Sequence, residues 1–273
     1  MELTTRRIQD ECRKILNEFI RICTEYRLRY YLIDGSMLGA VRHNGFIPWD
    51  DDMDIAMPRP DYERFCTVAS RELPSNMYFV SYEESLKGES LGEIAHIFSR
   101  DMTIKMNYFS GERTTNVWID IMIMYGMPKS KFWQKIHYKR YFLYKGLARM
   151  GRIRNIGNRH YSKLEKAFIS IARHIDLSKV INTEGLLLRS VKLLKKYPYD
   201  KEQFVLVLPS EYGDRELVPK DYYEPGRPCA FEDLEVRIPT KAEQVLSRLY
   251  GDYMKFPPEE QRVSKHKVTI VEE

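Results

Sequence analysis

Four carboxylates fall within five positions of this chain, Asp50, Asp51, Asp52 and Asp54, in the run Phe46-Ile-Pro-Trp-Asp-Asp-Asp-Met-Asp-Ile-Ala. Two like charges ~4 Å apart near a protein surface repel by ~4 kcal/mol, so such crowding calls for compensation. A hard divalent cation, which prefers oxygen ligands, supplies it. If the run is extended, alternate residues share a face. Asp50, Asp52 and Asp54 then point one way, while Asp51, Met53 and Ile55 point the other. A further ligand has to come from a neighbouring strand, and Asp120 is the best candidate. Val117, Ile119, Ile121 and Ile123 form one apolar face of its segment, and Trp118, Asp120 and Met122 form the other. A lone carboxylate in such surroundings is costly unless paired or metal-bound.

Gly35-Ser36 adds a phosphate-binding element. A glycine at a helix start lets backbone N–H groups approach an anion closely, and the serine hydroxyl adds a hydrogen bond. Arg42 and His43 follow, placed to contact the same or another phosphate. Taken singly, each feature has an ordinary explanation. An acidic run is most often a solvated loop, a Gly-Ser pair carries little, and Asp120 alone could be a salt-bridge partner. Their order along the chain gives them weight: strand, Gly-Ser, helix, DxD on a strand, then an aspartate on a later strand.

Positioning them requires elements that the periodicity supplies. Ile8, Cys12, Ile15, Phe19, Ile22 and Tyr26 recur at helical spacing, and Tyr30–Ile33 reads as a buried strand. Ser36 is expected to cap a short helix through Val41, with a turn at Asn44-Gly45. Asp52–Met57 reads as a strand closed by Pro58 and Pro60, with Asp61 capping the next helix. Tyr78–Ser81, Ala95–Ser99 and Asn116–Met124 read as strands, and 129–200 as mostly helical. A strand or hairpin is expected over Phe231–Ile238. Thr240 and Glu243 have the spacing of a capping box for a helix ending near Gly251.

The bulk properties are those of a globular protein. Of 273 residues, 43% are hydrophobic and nineteen are tyrosine, too aromatic for a disordered chain. A net charge of +5 does not mark a nucleic-acid binder, and nucleic acid is not expected as a partner. The four cysteines, Cys12, Cys23, Cys66 and Cys229, have no CxxC or zinc spacing and read as reduced thiols. The N-terminus has no apolar signal region, and no segment reaches the ~20 apolar residues of a membrane span.

The signature Asp34-Gly-Ser-Met-Leu-Gly-Ala-Val-Arg-His-Asn-Gly-Phe-Ile-Pro-Trp-Asp-Asp-Asp-Met-Asp-Ile resembles that of the LicD family, to which the fukutin-type glycan phosphotransferases are distantly related. Trp118-Ile-Asp-Ile resembles the family's later aspartate motif. Tyr250-Gly-Asp-Tyr-Met with Pro257-Pro258 resembles its C-terminal motif. The resemblance implies an α+β fold, a nucleotidyltransferase-like mixed β-sheet flanked by helices, with a mainly helical basic insertion. Residues 1–127 would be the catalytic core, 128–200 the helical basic segment, and 201–273 a C-terminal part packing back on the core.

It also implies a metal-dependent phosphotransferase. The donor would be a CDP-activated alcohol, CDP-choline first among them. The acceptor would be a hydroxyl of a cell-surface glycan, such as teichoic acid or lipopolysaccharide, or of a lipid-linked oligosaccharide precursor. Mg²⁺ or Mn²⁺ would be held by Asp52, Asp54 and Asp120, with Asp50 as a further ligand or outer partner. Asp120 stays divided between ligand and base. Gly35, Ser36, Arg42 and His43 would bind the donor phosphates, and Arg262 and His266 are weaker candidates. Two other readings stay open: transfer of a nucleoside monophosphate to a small molecule, and a non-catalytic glycan-binding protein with a relic site. The spacing from Gly35-Ser36 to Asp52, longer than in most nucleotidyltransferases, speaks against the first.

From Ile121 to Leu164 the chain has no Asp or Glu but carries lysines and arginines interleaved with aromatics. A solvated face, a phosphate-rich acceptor and an anionic membrane compete to explain it. The expected location is cytoplasmic, with peripheral contact at the inner face of the membrane through 129–163.

Overall fold

The helical periodicity near the N-terminus folds as one helix, α1 (Leu3–Glu25). It buries Ile8, Cys12, Ile15, Phe19 and Ile22 along one side. The computed structural model describes residues 3–86, 94–108, 111–151, 181–209, 212–264 and 268–272. After α1 come β1 (Tyr31–Leu32), α2 (Asp34–His43), β2 (Asp54–Pro58), α3 (Arg59–Glu72), β3 (Met77–Val80) and a single turn, α4 (Tyr82–Glu84). A long hairpin follows, β4 (Ala95–Tyr108) and β5 (Gly111–Met127), then α5 (Lys131–Gly151) and α6 (Thr183–Leu194). The C-terminal part adds β6 (Phe204–Leu208), β7 (Leu217–Pro219), β8 (Arg227–Phe231), β9 (Leu234–Ile238), α7 (Ala242–Tyr250) and β10 (Thr269–Glu272).

The architecture is α+β, a mixed sheet flanked by helices. Strand β5 is its axis. On one edge it pairs in parallel with β2, and on the other it pairs antiparallel with β4 and then, further along, with β6. Strand β1 extends the sheet beyond β2, β7 extends it beyond β6, and β3 and β10 both pair with β4. Strands β8 and β9 form a separate hairpin. The alternation read over residues 117–123 decides the two faces. Val117, Ile119, Ile121 and Ile123 join the core beneath α1 and α3. Met122 and Met124 face the opposite side, in a second cluster with Tyr31, Ile33, Val205 and Tyr223.

Three helix starts differ from the sequence expectation for one shared reason: the expected capping side chain is used in a tertiary bond. Helix α2 begins at Asp34, with Ile33 as the flanking residue and no side-chain cap. Ser36 Oγ instead accepts the N–H of Asp54 at 2.8 Å. Helix α3 begins with Arg59 and Pro60, proline being pre-shaped for a first turn. Asp61 is instead engaged by Arg29, whose guanidinium also reaches Asp200 and Glu224. Helix α7 has Lys241 at its start and no side-chain cap. Thr240 Oγ1 accepts the N–H of Gly226 at 2.9 Å, and Glu243 pairs with Arg227.

The β4–β5 hairpin reaches well past the stretches read from sequence. Its outer half, including Lys105, Glu112, Arg113 and Thr114, is polar and lacks the alternating apolar signal. The four cysteines are free thiols, Cys12 and Cys23 buried and Cys66 and Cys229 partly so. Among the described residues, no helix is long and apolar enough to cross a membrane. Residues 152–163 of the basic stretch, and His266, lie outside the described residues.

Candidate active site

In the sheet register, Asp54 of β2 and His96 of β4 sit directly opposite Asp120 of β5, one on each side. Side chains opposite one another on adjacent strands share a face. Asp54, Asp120 and His96 therefore form one row across three strands. His96 Nε2 lies 3.1 Å from Asp120 Oδ1, and Trp118 Nε1–H donates to the same oxygen at 2.9 Å. Both contacts fall on the same Asp120 oxygen, Oδ1. A histidine at position 96, within the strand pattern Ala95–Ser99, is expected to be a hydrogen-bonded core residue. It is buried, and the site carboxylate is one of the groups within reach of its ring. Only strand pairing reveals this, since the two residues are distant in the chain.

The row forms part of the floor of a cleft of about 890 Å³. Asp34, Gly35, Asp50, Asp52, Trp118 and Met122 also line it. The expected alternation holds in outcome although β2 begins only at Asp54. Asp50, Asp52 and Asp54 face the cleft, whereas Asp51 is buried and accepts the Ser264 hydroxyl at 2.6 Å. The acidic loop is pinned from beneath by Gln9 of α1, whose Nε2 donates to the carbonyls of Ile47 and Asp50.

Asp54 lies deep in the cleft, where some solvent reaches it but protein surrounds it. Burial first, then the charges of Asp52, Asp120, Asp34 and Asp50, push its carboxyl well above the usual carboxylate range. This is the electrostatic deficit expected of an oxygen-only cation site. Among the described residues, no three His, Cys, Asp or Glu side chains are already gathered as a ready-made cage.

Helix α2 points its N-terminal end into the cleft through Gly35. The first N–H groups of a helix have no acceptor within it, and the helix dipole favours an anion there. A Cβ on Gly35 would lie 2.7 Å from Asp50 Oδ2, so the Asp50 carboxylate would have to shift to admit one. Ser36, read from sequence as a phosphate contact, is buried behind this surface. Its oxygen ties α2 to the acidic strand. Gly39, one turn on, lies against the backbone of the following loop. A Cβ there would collide with the Gly45 carbonyl and come within 3.3 Å of the Ile47 nitrogen. Gly39→Ala is therefore expected to destabilise the protein by about 1–3 kcal/mol and to lower activity by shifting the loop that leads to Asp50. Urea unfolding and turnover of the purified variant check both effects.

The outer wall comes from the C-terminal part: Tyr212, Tyr250, Asp252, Tyr253, Lys255 and Phe256. Arg42 reaches the cleft across this wall. Its Nη1 donates to the Tyr253 carbonyl at 2.8 Å, and its guanidinium stacks 4.7 Å from the Phe256 ring centre. His43 stands behind it. The His43 Nε2 accepts from Arg42 Nε at 2.9 Å, and its ring packs edge-on against Trp49 and Phe256. Burial and the adjacent guanidinium hold the His43 pKa below the usual histidine value. Arg262 stacks over Trp49 and Phe256 at the rim and donates to the Pro257 carbonyl. The structure thus brings Asp50, Asp52, Asp54, Asp120, Gly35 and Arg42 together at the cleft, with Ser36 and His43 behind it and Arg262 at its edge.

A family model described as LicD/FKTN/FKRP, nucleotidyltransferase domain, matches residues 27–146, which hold every floor residue named above. The lipopolysaccharide cholinephosphotransferase LicD of Haemophilus influenzae (strain ATCC 51907 / DSM 11121 / KW20 / Rd) is 31% identical over 274 residues, 97% of each chain. An uncharacterized protein of Rickettsia prowazekii (strain Madrid E) is 32% identical over 72 residues, 26% of this chain and 27% of its own.

Proposed function

This chain belongs to the LicD family of enzymes, and on that premise we propose that it transfers phosphocholine from CDP-choline to a hydroxyl of a cell-surface glycan or its lipid-linked precursor. The observation that carries the reading is the row Asp54–Asp120–His96 beside the acidic loop, facing the N-terminal end of α2. Carboxylates on one side and helix N–H groups on the other suit a pyrophosphate accompanied by a cation.

The donor set fits Mg²⁺ or Mn²⁺, because it is built of carboxylate oxygens around Asp54, whose charge is opposed by its neighbours. Asp52, Asp54 and Asp120 would hold the ion, with Asp50 beside them. When bound, the ion supplies neutralisation of charge on the pyrophosphate and the departing CMP. The remaining work belongs to the chain. Gly35 and the start of α2 receive a donor phosphate, and Arg42, fixed by Tyr253 and Phe256, holds positive charge at the cleft wall. Asp120, beside His96 and Trp118, would serve either as a ligand of the ion or as the base for the attacking hydroxyl.

A donor screen tests this reading. CDP-choline, CDP-ribitol, CDP-glycerol and a nucleoside triphosphate with a small-molecule acceptor are each offered with Mg²⁺, and CMP and pyrophosphate are measured. CMP release with CDP-choline and an oligosaccharide acceptor, abolished by EDTA and restored by excess Mg²⁺, is the expected result. Pyrophosphate release from the triphosphate alone would instead make the protein a nucleotidyltransferase.

A further inference from the structure

Helix α5 buries one side against the protein and turns an unusual side outward. Gln134, His137, Tyr141 and Ala148 are buried, at spacings that place them on a single face. On the opposite face Phe132 is 64% exposed, Leu143 58% and Leu147 36%, with Trp133 53% exposed beside them. Large apolar side chains scattered singly on a surface need no explanation, but a contiguous stripe does. The stripe is edged by exposed cations. Lys131, Lys135 and Lys139 run along one side at four-residue intervals, and Arg140 lies on the other, between Trp133 and Leu147. No acidic residue interrupts the helix, and none occurs in the sequence from residue 121 to 164.

An aromatic and aliphatic ridge flanked by lysines matches the boundary of an anionic bilayer, where rings sit at headgroup level and lysines meet lipid phosphates. A protein partner could cover the ridge, but the uniform positive border favours a surface of uniform negative charge. The geometry points to α5 as a membrane-docking helix, lying flat on anionic lipid with Phe132, Trp133 and Leu143 entering the headgroup layer. Tyr138 of the same helix lies against Gly213, next to Tyr212 in the cleft wall. Docking would therefore hold the cleft close to the lipid surface. The proposal does not depend on which group the enzyme transfers.

Flotation of the full chain with vesicles tests it, comparing phosphatidylglycerol/phosphatidylcholine mixtures with phosphatidylcholine alone at low and moderate salt. Two variants accompany the wild type: Phe132→Ser/Trp133→Ser/Leu143→Ser, and Lys131→Glu/Lys135→Glu/Lys139→Glu. All six positions are exposed, and circular dichroism melts matching the wild type confirm folding. The expected result is binding to anionic vesicles that weakens with salt. It should fall at least about tenfold in each variant, since each basic residue near the surface contributes about fivefold to partitioning. Turnover on a soluble acceptor should stay unchanged. Failure of the wild type to bind anionic vesicles at low salt overturns the proposal. So does wild-type self-association, measured by sedimentation, that the apolar variant abolishes while vesicle binding persists.

Discussion

Asp54→Asn is expected to abolish turnover while making the metal-free protein more stable. The activity loss should reach about 10³-fold or more, because an ion contributing several kcal/mol of transition-state stabilisation loses a central ligand. The stability gain follows from the same carboxylate. Asp54 is surrounded by Asp52, Asp120, Asp34 and Asp50, and its pKa is raised first by burial and then by their charges. A carboxyl whose folded pKa lies above its unfolded value binds more protons in the folded state between the two. Its favourable contribution is complete below the unfolded pKa and is lost as pH rises through the folded one. In EDTA, the wild-type melting temperature should therefore fall as pH rises above the ordinary carboxylate range. Asparagine removes that slope and raises the neutral-pH Tm by a few degrees. Mg²⁺ should stabilise the wild type and have little effect on the variant. Full turnover by Asp54→Asn would remove the metal assignment altogether.

The second large effect is expected at Asp120, where two variants separate structure from chemistry. Asparagine keeps an oxygen to accept from Trp118 Nε1 and His96 Nε2, so Asp120→Asn should fold normally. Alanine strands both partners of a partly buried cluster and should cost about 1–3 kcal/mol in urea unfolding. Both variants should lose about 10²–10⁴-fold in kcat, the usual contribution of a positioned base. The Mg²⁺ dependence of the residual activity then divides the two roles. If Asp120 is chiefly a ligand, half-activation shifts to much higher Mg²⁺. If it is chiefly the base, half-activation is unchanged and kcat alone falls. Wild-type activity in Asp120→Asn would exclude both.

His96 shows where reading the chain stops. Its segment is recognisable as a strand, but a histidine in a strand carries no sign of its partner. The partner is set by register: residue 96 faces 120 because β4 and β5 pair as a hairpin, and a shift of one residue would turn His96 to the other face. Ser36 makes the same point in reverse. A Gly-Ser pair before a helix carries no sign that the serine oxygen also accepts the Asp54 N–H, a bond set by α2 packing beside β2. Capping signatures at Asp61 and at Thr240/Glu243 mislead for the same reason. A side chain that could bond its own helix start bonds a distant partner when packing brings one nearer.

Legible from residue type and spacing were a clustered carboxylate set, a glycine at a helix start, a later aspartate on an apolar strand, and a cationic helix free of acidic residues. Those are properties of residue type and local spacing, legible because crowded like charges and strict periodicities are costly without a purpose. Tertiary contacts alone set how the other carboxylates press on Asp54, that His96 and Trp118 both flank Asp120 Oδ1, and which side of α5 is exposed among the described residues. These depend on contacts between residues far apart in the chain, where strand register and helix packing, not local preference, set the distances.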